Sequence, residues 1–357
     1  MNLRLWMLIG LAALVVGCAA KTKGTDYVIM KDGQWVKPVA PGEGTIEGEL
    51  SLIRKRIEDG DEGKAVDAVG KFLARYGDSP ACEEAFMLAG QAEMNRERYY
   101  QAFEWYEQQL SRYPNGEYYE RALHREYEAA DAFLLGKKRL VAKVLWMPAQ
   151  ADGLEILSRV AEHAPGSAIA EKALLRIADY HLWKKDYADA AQAYDHYYNL
   201  FPKADKAPFA MLRAARSMYA SYRGVDYDET PLIDAEQRFR QFRQRYPITA
   251  DQEGASEVLK VIHAARGQRV YAAGQFYERT RRPQAAAHYY KLVLEGYPDT
   301  EWAARARGDL ARLGGGKTIQ PAELILTPSG LATRPGEPAS APATQAAPAK
   351  PEAGVSP

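Results

Sequence analysis

Residues Glu171 to Pro202, EKALLRIADYHLWKKDYADAAQAYDHYYNLFP, decide the fold of this chain. Leu174, Ile177, Ala178 and His181 recur at three- and four-residue spacing, which puts them on one face of a helix. Lys184, Lys185 and Asp186 interrupt that pattern, and Tyr187, Ala190, Ala191, Tyr194 and Tyr197 begin a second helix. It stops at Phe201-Pro202, because proline disfavours helical geometry in the residue before it. Ala178 and Ala190 fall on facing sides, so the two backbones approach closely while Tyr194 fills the space beside them. The segment reads as a hairpin of two antiparallel helices.

One such hairpin cannot bury its own apolar face and needs neighbours. Ser79 to Pro114 carries Phe86, Ala89 and Gly90, then Tyr99, Ala102, Tyr106 and Tyr113-Pro114. Gly267 to Pro298 carries Val270, Ala273, Gly274 and Tyr277, then Ala286, Tyr290 and Tyr297-Pro298. The small residues pair as Gly90 with Ala102, Ala178 with Ala190 and Gly274 with Ala286, each twelve positions apart. Helix, short turn, helix and a closing aromatic-proline, in about 34 residues, resembles a tetratricopeptide repeat. That resemblance implies an all-α fold, a right-handed superhelical solenoid of about five to six hairpins with a capping helix. Gly274 and Ala286 are then helix-packing positions.

The amino-terminal residues 1–17 read as a leader. Arg4 supplies a minimal basic region before the apolar run Leu5–Val16, which is shorter than the about 20 residues a spanning helix takes. Val15-Val16-Gly17-Cys18 resembles a bacterial lipobox, which implies that Cys18 is acylated and becomes the mature amino terminus. Ordinary cleavage near Ala19-Ala20 is the other reading. Ala19 after the cysteine, rather than aspartate, implies the outer membrane by the sorting rule of such lipoproteins. Cys82, the only other cysteine, is expected to be a small buried apolar residue near Phe86.

Residues 18–45 form the tether, in which Tyr27–Met30 and Trp35-Val36 flank Asp32-Gly33 as a small hairpin. Residues 46–313 form the solenoid. Its first hairpin runs from Ile46 to Tyr76 with Leu50, Ile53 and Phe72, and Tyr118–Leu135 is a further helix. Gly136–Asp152 departs from the repeat: Lys137, Lys138, Arg139 and Lys143 surround Val141, Val144, Leu145 and Trp146. It reads as an inserted loop or short amphipathic helix, packed on its own solenoid or a partner, or lying at a membrane surface. Leu154–Pro165 completes that hairpin. A fifth begins at Phe209, with Thr230 as N-cap before Pro231 at the first helical position, and Arg238, Arg240, Arg243 and Arg245 as a solvated face or a binding patch. One long helix is expected from Ala250 to about Thr280, and Glu301–Leu313 is the capping helix. Residues 314–357 are rich in proline and alanine and too poor in apolar bulk to offset ordering entropy, which implies disorder.

Lysine plus arginine equals aspartate plus glutamate at 47 each, a neutral balance that argues against a general nucleic-acid binder. The six histidines show no metal-ligand spacing such as HExxH. Gly314-Gly315-Gly316-Lys317-Thr318 lacks the first glycine of a phosphate loop, since Ala311 stands there. Arg307-Gly308-Asp309 is incidental within a helix. No catalytic residues, no cofactor, no metal and no small-molecule substrate are expected.

A more specific resemblance runs through Phe201-Pro202, Ala214-Ala215, Tyr219, Tyr222, Asp226–Thr230, Phe239, Phe242, Tyr246-Pro247, Ala285–Ala287 and Tyr297–Thr300. Together with the lipobox cysteine, this is similar to the BamD (YfiO, ComL) outer membrane lipoprotein family of the β-barrel assembly machinery, over most of Gly77–Leu313. Glu229, the 136–152 insertion and the alanine-proline tail depart from it. The resemblance implies a non-enzymatic scaffold on the periplasmic face of the outer membrane. It would bind the periplasmic domains of a barrel-assembly protein and unfolded outer membrane proteins. An adaptor for cell-envelope or peptidoglycan organisation, or for secretion, is the other reading. In the repeat frame Met87, Gln91, Leu175, Asp179 and Trp183 line a groove for an extended peptide; packing of Leu175 and Trp183 under the neighbouring hairpin is the other reading. By resemblance the carboxy-terminal hairpin, with Tyr271, Gln275, Arg279, Arg281 and Arg282, holds the assembly partner.

Overall fold

The computed structural model describes residues 29–31, 34–36, 44–77, 79–141 and 144–314. The leader, Cys18, most of the tether and residues 315–357 of the tail lie outside them. Two short strands, β1 (Ile29–Lys31) and β2 (Gln34–Val36), pair antiparallel with Lys31 opposite Gln34, the register expected of a hairpin closed by Asp32-Gly33.

Twelve helices then pair as six hairpins among the described residues. They are α1 (Ile46–Glu58) with α2 (Glu62–Tyr76), α3 (Cys82–Asn95) with α4 (Tyr99–Arg112), and α5 (Tyr119–Leu134) with α6 (Gln150–His163). There follow α7 (Ala168–Lys184) with α8 (Tyr187–Leu200), and α9 (Ala207–Ser221) with α10 (Thr230–Arg245). After the short α11 (Pro247–Gln252) come α12 (Ala255–Arg279) with α13 (Pro283–Gly296), and α14 (Glu301–Gly314) as the final helix. Between α5 and α6 lie β3 (Lys138–Val141) and β4 (Leu145–Pro148). Residues to Lys260 form one compact unit and those from Val261 a second, the division falling within α12.

Five of the six hairpins turn by the same backbone device. At the end of the first helix a residue takes positive φ: Gly60 (79°), Glu97 (57°), Gly136 (101°), Lys185 (65°) and Arg281 (58°). In each case its N–H donates three residues back and the next N–H five residues back, as Lys185 to Leu182 O at 3.0 Å and Asp186 to His181 O at 2.9 Å. This satisfies carbonyls that the helix end would otherwise orphan. Three of the five positions lack the glycine that this conformation favours, at a cost of about 1–2 kcal/mol for an L-residue. Lys185→Gly should therefore gain about 0.5–1 kcal/mol after glycine's own entropy loss, while Gly60→Ala should lose stability. Opposite signs in two thermal melts would check this, since an added Cβ at Gly60 meets no atom within 4 Å.

The second helices end as the prolines dictate. Tyr113, Ala164, Phe201, Tyr246 and Tyr297 all precede proline and share φ between −124° and −136° and ψ between 46° and 65°. Each therefore leaves the α region at the same point of the repeat.

The small-residue spacing marks close approach. At Gly90 a Cβ would lie 2.2 Å from the Tyr106 ring, and at Gly274 2.5 Å from the Tyr290 ring. The glycines thus seat the tyrosine one turn beyond the paired alanine. In the first unit, Leu50, Ile53, Phe72 and Phe86 share one apolar cluster with Cys82, whose Sγ donates to Tyr76 O at 2.9 Å. A second cluster runs from Met87 and Phe103 through Tyr127 and Phe133 to Leu157, and a third joins Leu174, Tyr194, Tyr197 and Ala214. The second unit is centred on Tyr271, Tyr290, Val293 and Ala303.

Three expectations change. Gly136–Asp152 contains a β-hairpin rather than a helix, with Leu140 opposite Trp146 and Val141 opposite Leu145. Val141 and Trp146 favour extended backbone there, and neither strand supplies a residue to the apolar clusters. The long helix from Ala250 breaks into α11 and α12 at Gly254, whose φ of 67° no helix accommodates. The start of α10 is held by Asp228, whose Oδ1 accepts from the N–H and Oγ1 of Thr230 at 3.1 and 3.0 Å, so Thr230 is donor rather than cap.

Candidate protein-binding surface

The first helices of neighbouring hairpins, α5 and α7, present a face of paired charges and aromatic rings. Asp131 accepts from Arg176 Nε at 2.6 Å, and Lys172 Nζ sits 4.2 Å from the Tyr127 ring centre. Trp183 is 71% exposed, its ring 5.9 Å from that of the buried Tyr180. A rigid aromatic without cover is the kind of residue that anchors a protein contact.

The other expected groove residues are placed differently. Met87 and Leu175 are buried, so they belong to the core rather than to an exposed lining. The next hairpin covers them: Leu175 packs in the cluster that includes Ala210 of α9. Gln91 donates to Asn95 Oδ1 at 2.8 Å along its own helix. Asp179 is exposed but accepts the hydroxyl proton of Tyr194. In the second unit Tyr271 is also a core residue. Its hydroxyl donates to Asp309 at 2.7 Å, and its ring stands 5.5 Å from both Tyr290 and Trp302. Gln275 donates to that hydroxyl at 3.3 Å, while Arg279, Arg281 and Arg282 are exposed. The structure thus brings Asp179 and Trp183 together on one helix, and Arg279, Arg281 and Arg282 on one turn.

The structural role of several acids is what sequence reasoning missed. Asp179, Glu171 and Glu278 each hold the hydroxyl of a second-helix tyrosine, Tyr194, Tyr197 and Tyr290. Burial first, and the carboxylate second, push these phenols up. In the frame of Gly90 and Gly274 the residue matching Glu278 is Met94, and the buried Tyr106 hydroxyl finds no partner. Glu83 fastens the next repeat: its carboxylate accepts from Tyr118 N at 2.8 Å, Glu117 N at 3.1 Å and Gln109 Nε2 at 3.4 Å. A Cβ at Gly116 would lie 2.0 Å from Glu83 Oε1, so only glycine admits that carboxylate. Glu126 is fully buried, and neither oxygen has a hydrogen-bond partner. Burial pushes its carboxyl well above the usual range, Glu107 adds to this and Arg159 opposes it.

The arginine run of α10 is largely engaged. Arg238 pairs with Asp195 at 2.8 Å beside a cavity of about 420 Å³ lined mainly by polar residues of α8 and α10, and Arg240 pairs with Glu236. One group of possible metal ligands stands out among the described residues. At the α7–α8 turn, ligand atoms of His181, Asp186 and Asp189 lie within 4.8 Å of one another, with both carboxylates exposed. That grouping arises because the turn brings His181 and Asp186 together through the backbone, and no sequence spacing announced it. No helix of the described residues is long and apolar enough to cross a membrane.

No curated protein matches the chain. Among solved structures, a tetratricopeptide repeat protein from Parabacteroides merdae is 11% identical, with a TM-score of 0.30, over 75% of this chain and 98% of that one. PilW, a type IV pilus biogenesis factor, is 13% identical with a TM-score of 0.25, over 74% of this chain and 100% of that one. The carboxy-terminal part of a tetratricopeptide repeat protein from Cytophaga hutchinsonii is 11% identical with a TM-score of 0.27, over 73% and 99%. Residues 149–310 match the YfiO family, described as outer membrane lipoprotein. The match is shorter than the Gly77–Leu313 expected from the sequence and begins one residue after β4. The segment from α6 to α14 is thus the part of this chain that is similar to the YfiO family of outer membrane lipoproteins.

Proposed function

We propose that the chain is a non-enzymatic scaffold, lipid-anchored through Cys18 at the periplasmic face of the outer membrane, that acts in β-barrel protein assembly. The observation that carries this reading is the match of residues 149–310 to the YfiO outer membrane lipoproteins. Val15-Val16-Gly17-Cys18 supports the anchor. Two or more acyl chains hold a protein stably, where one alone is marginal. The exposed ring of Trp183 beside Asp179 supports a site for an extended segment of an unfolded outer membrane protein. The exposed arginines Arg279, Arg281 and Arg282 support a second surface for the assembly partner.

Pull-down with the acylated full-length chain tests the reading. Recovery of a barrel-assembly protein is expected; recovery of envelope or peptidoglycan proteins alone would favour the adaptor instead. In the same preparation Trp183→Ser should weaken binding of an unfolded barrel-protein peptide at least tenfold, about 1.4 kcal/mol. Partner capture and the melting temperature should stay unchanged, because the ring is 71% exposed. A peptide affinity that does not move would remove Trp183 from the site.

A further inference from the structure

The β3–β4 hairpin stands out from the solenoid with apolar residues on both of its faces. Directly paired residues of an antiparallel hairpin share a face and successive ones alternate. One face therefore carries Leu140, Trp146 and Pro148, and the other Val141, Leu145 and Met147. Beyond the half-buried Leu140 most of this apolar surface is open: Val144 is 81% exposed, Leu145 56%, Trp146 49% and Met147 45%. Its base, by contrast, is clamped. Arg139 pairs with Asp152 at 2.7 Å and lies 3.2 Å from the Tyr100 ring centre, and Lys137 pairs with Glu97 at 2.7 Å. The apolar end is thus held out, not folded back.

We infer that this hairpin inserts into a lipid bilayer surface that contains anionic headgroups. Two observations select lipid over a protein groove. A flat protein surface covers one face of a two-stranded ribbon and leaves the other wet, whereas the interfacial zone of a bilayer surrounds both. The composition also fits that zone. From Lys137 to Ala151 the sequence holds four basic residues and no acidic one; Lys137 and Arg139 are engaged by Glu97 and Asp152, and Lys138 at the start of β3 is exposed. Tryptophan prefers the depth of the headgroups, and lysine stems reach from apolar surroundings to phosphate. Anionic lipid adds attraction for each basic side chain near the surface. The inference does not rest on the function proposed above, because it concerns residues outside the YfiO match.

A local probe tests it in the full-length chain. An environment-sensitive fluorophore is placed on Leu145→Cys, and in a second protein on Met147→Cys, each in a Cys18→Ala background so that only the buried Cys82 remains. The control carries it on Lys203→Cys, an exposed residue at the α8–α9 turn, the opposite end of the hairpins from β3 and β4. With vesicles of phosphatidylcholine and phosphatidylglycerol, emission at 145 and 147 should move to the blue and rise several-fold. Brominated acyl chains should quench it, while the label at 203 should respond to neither. Val144→Asp should abolish quenching of the 147 label with the helical circular dichroism intact. Vesicle-bound protein whose 145 label stays aqueous would overturn the inference. So would quenching at 203 equal to that at 145, or a blue shift seen without lipid and only on adding another protein.

Discussion

Gly90→Ala should lower the stability of the first unit by about 1–3 kcal/mol, although alanine is the better helix former. The added Cβ would lie 2.2, 2.4 and 2.7 Å from three atoms of the Tyr106 ring, which is itself fully buried. The ring has no free volume to enter, so α3 and α4 must separate or the tyrosine must leave its rotamer. Gly70→Ala in α2 supplies the contrast. Its Cβ would meet nothing within 4 Å, and the substitution should add about 0.5–1 kcal/mol by sparing backbone entropy. Chemical denaturation of both variants checks the pair. Equal shifts of one sign would mean that the close approach at Gly90 does not hold the repeat together.

Glu126→Gln should stabilise the protein at neutral pH, by about 1–3 kcal/mol, and should do so less as the pH falls. In the folded chain burial keeps the Glu126 carboxyl protonated to higher pH than in the unfolded chain. Between the ordinary carboxylate pKa and the raised folded one, the folded state therefore holds more protons than the unfolded state. Stability then decreases as pH rises through that window, by at most about 1.4 kcal/mol per pH unit from this group. Glutamine mimics the protonated acid and removes the dependence. Unfolding midpoints of the two proteins should converge near pH 4 and diverge towards pH 8. Parallel curves would show that Glu126 reaches solvent.

Periodicity made the hairpins readable because every repeat must close the same way. The spacing of Gly90 to Ala102 and of Gly274 to Ala286 reports backbone approach within one hairpin, and Tyr-Pro reports where a helix leaves it. What it could not report depends on the next hairpin. Met87, Leu175 and Tyr271 occupy first-helix positions that a single hairpin leaves open, and a neighbouring helix covers them. Trp183, at the end of α7, escapes that cover. The acids were illegible for the same reason. Glu83 looks like a first-turn surface residue of α3 until the chain returns 34 residues later and offers it the N–H of Glu117. The β3–β4 hairpin was misread because its alternation is short and crowded with lysines, which suits a helix face as well as a strand.

The turn at Gly136 has a practical consequence. It keeps its two backbone hydrogen bonds, to Phe133 and Ala132, and the chain departs only after they are made. A whole β-hairpin is thereby spliced into a repeat without altering the pairing of α5 with α6. The matching residues after Glu97 and Lys185 are ports of the same design, where an affinity tag or a fluorescent reporter can be grafted between closed helices. The α5–α6 repeat already carries such a graft, a β-hairpin held between two closed helices.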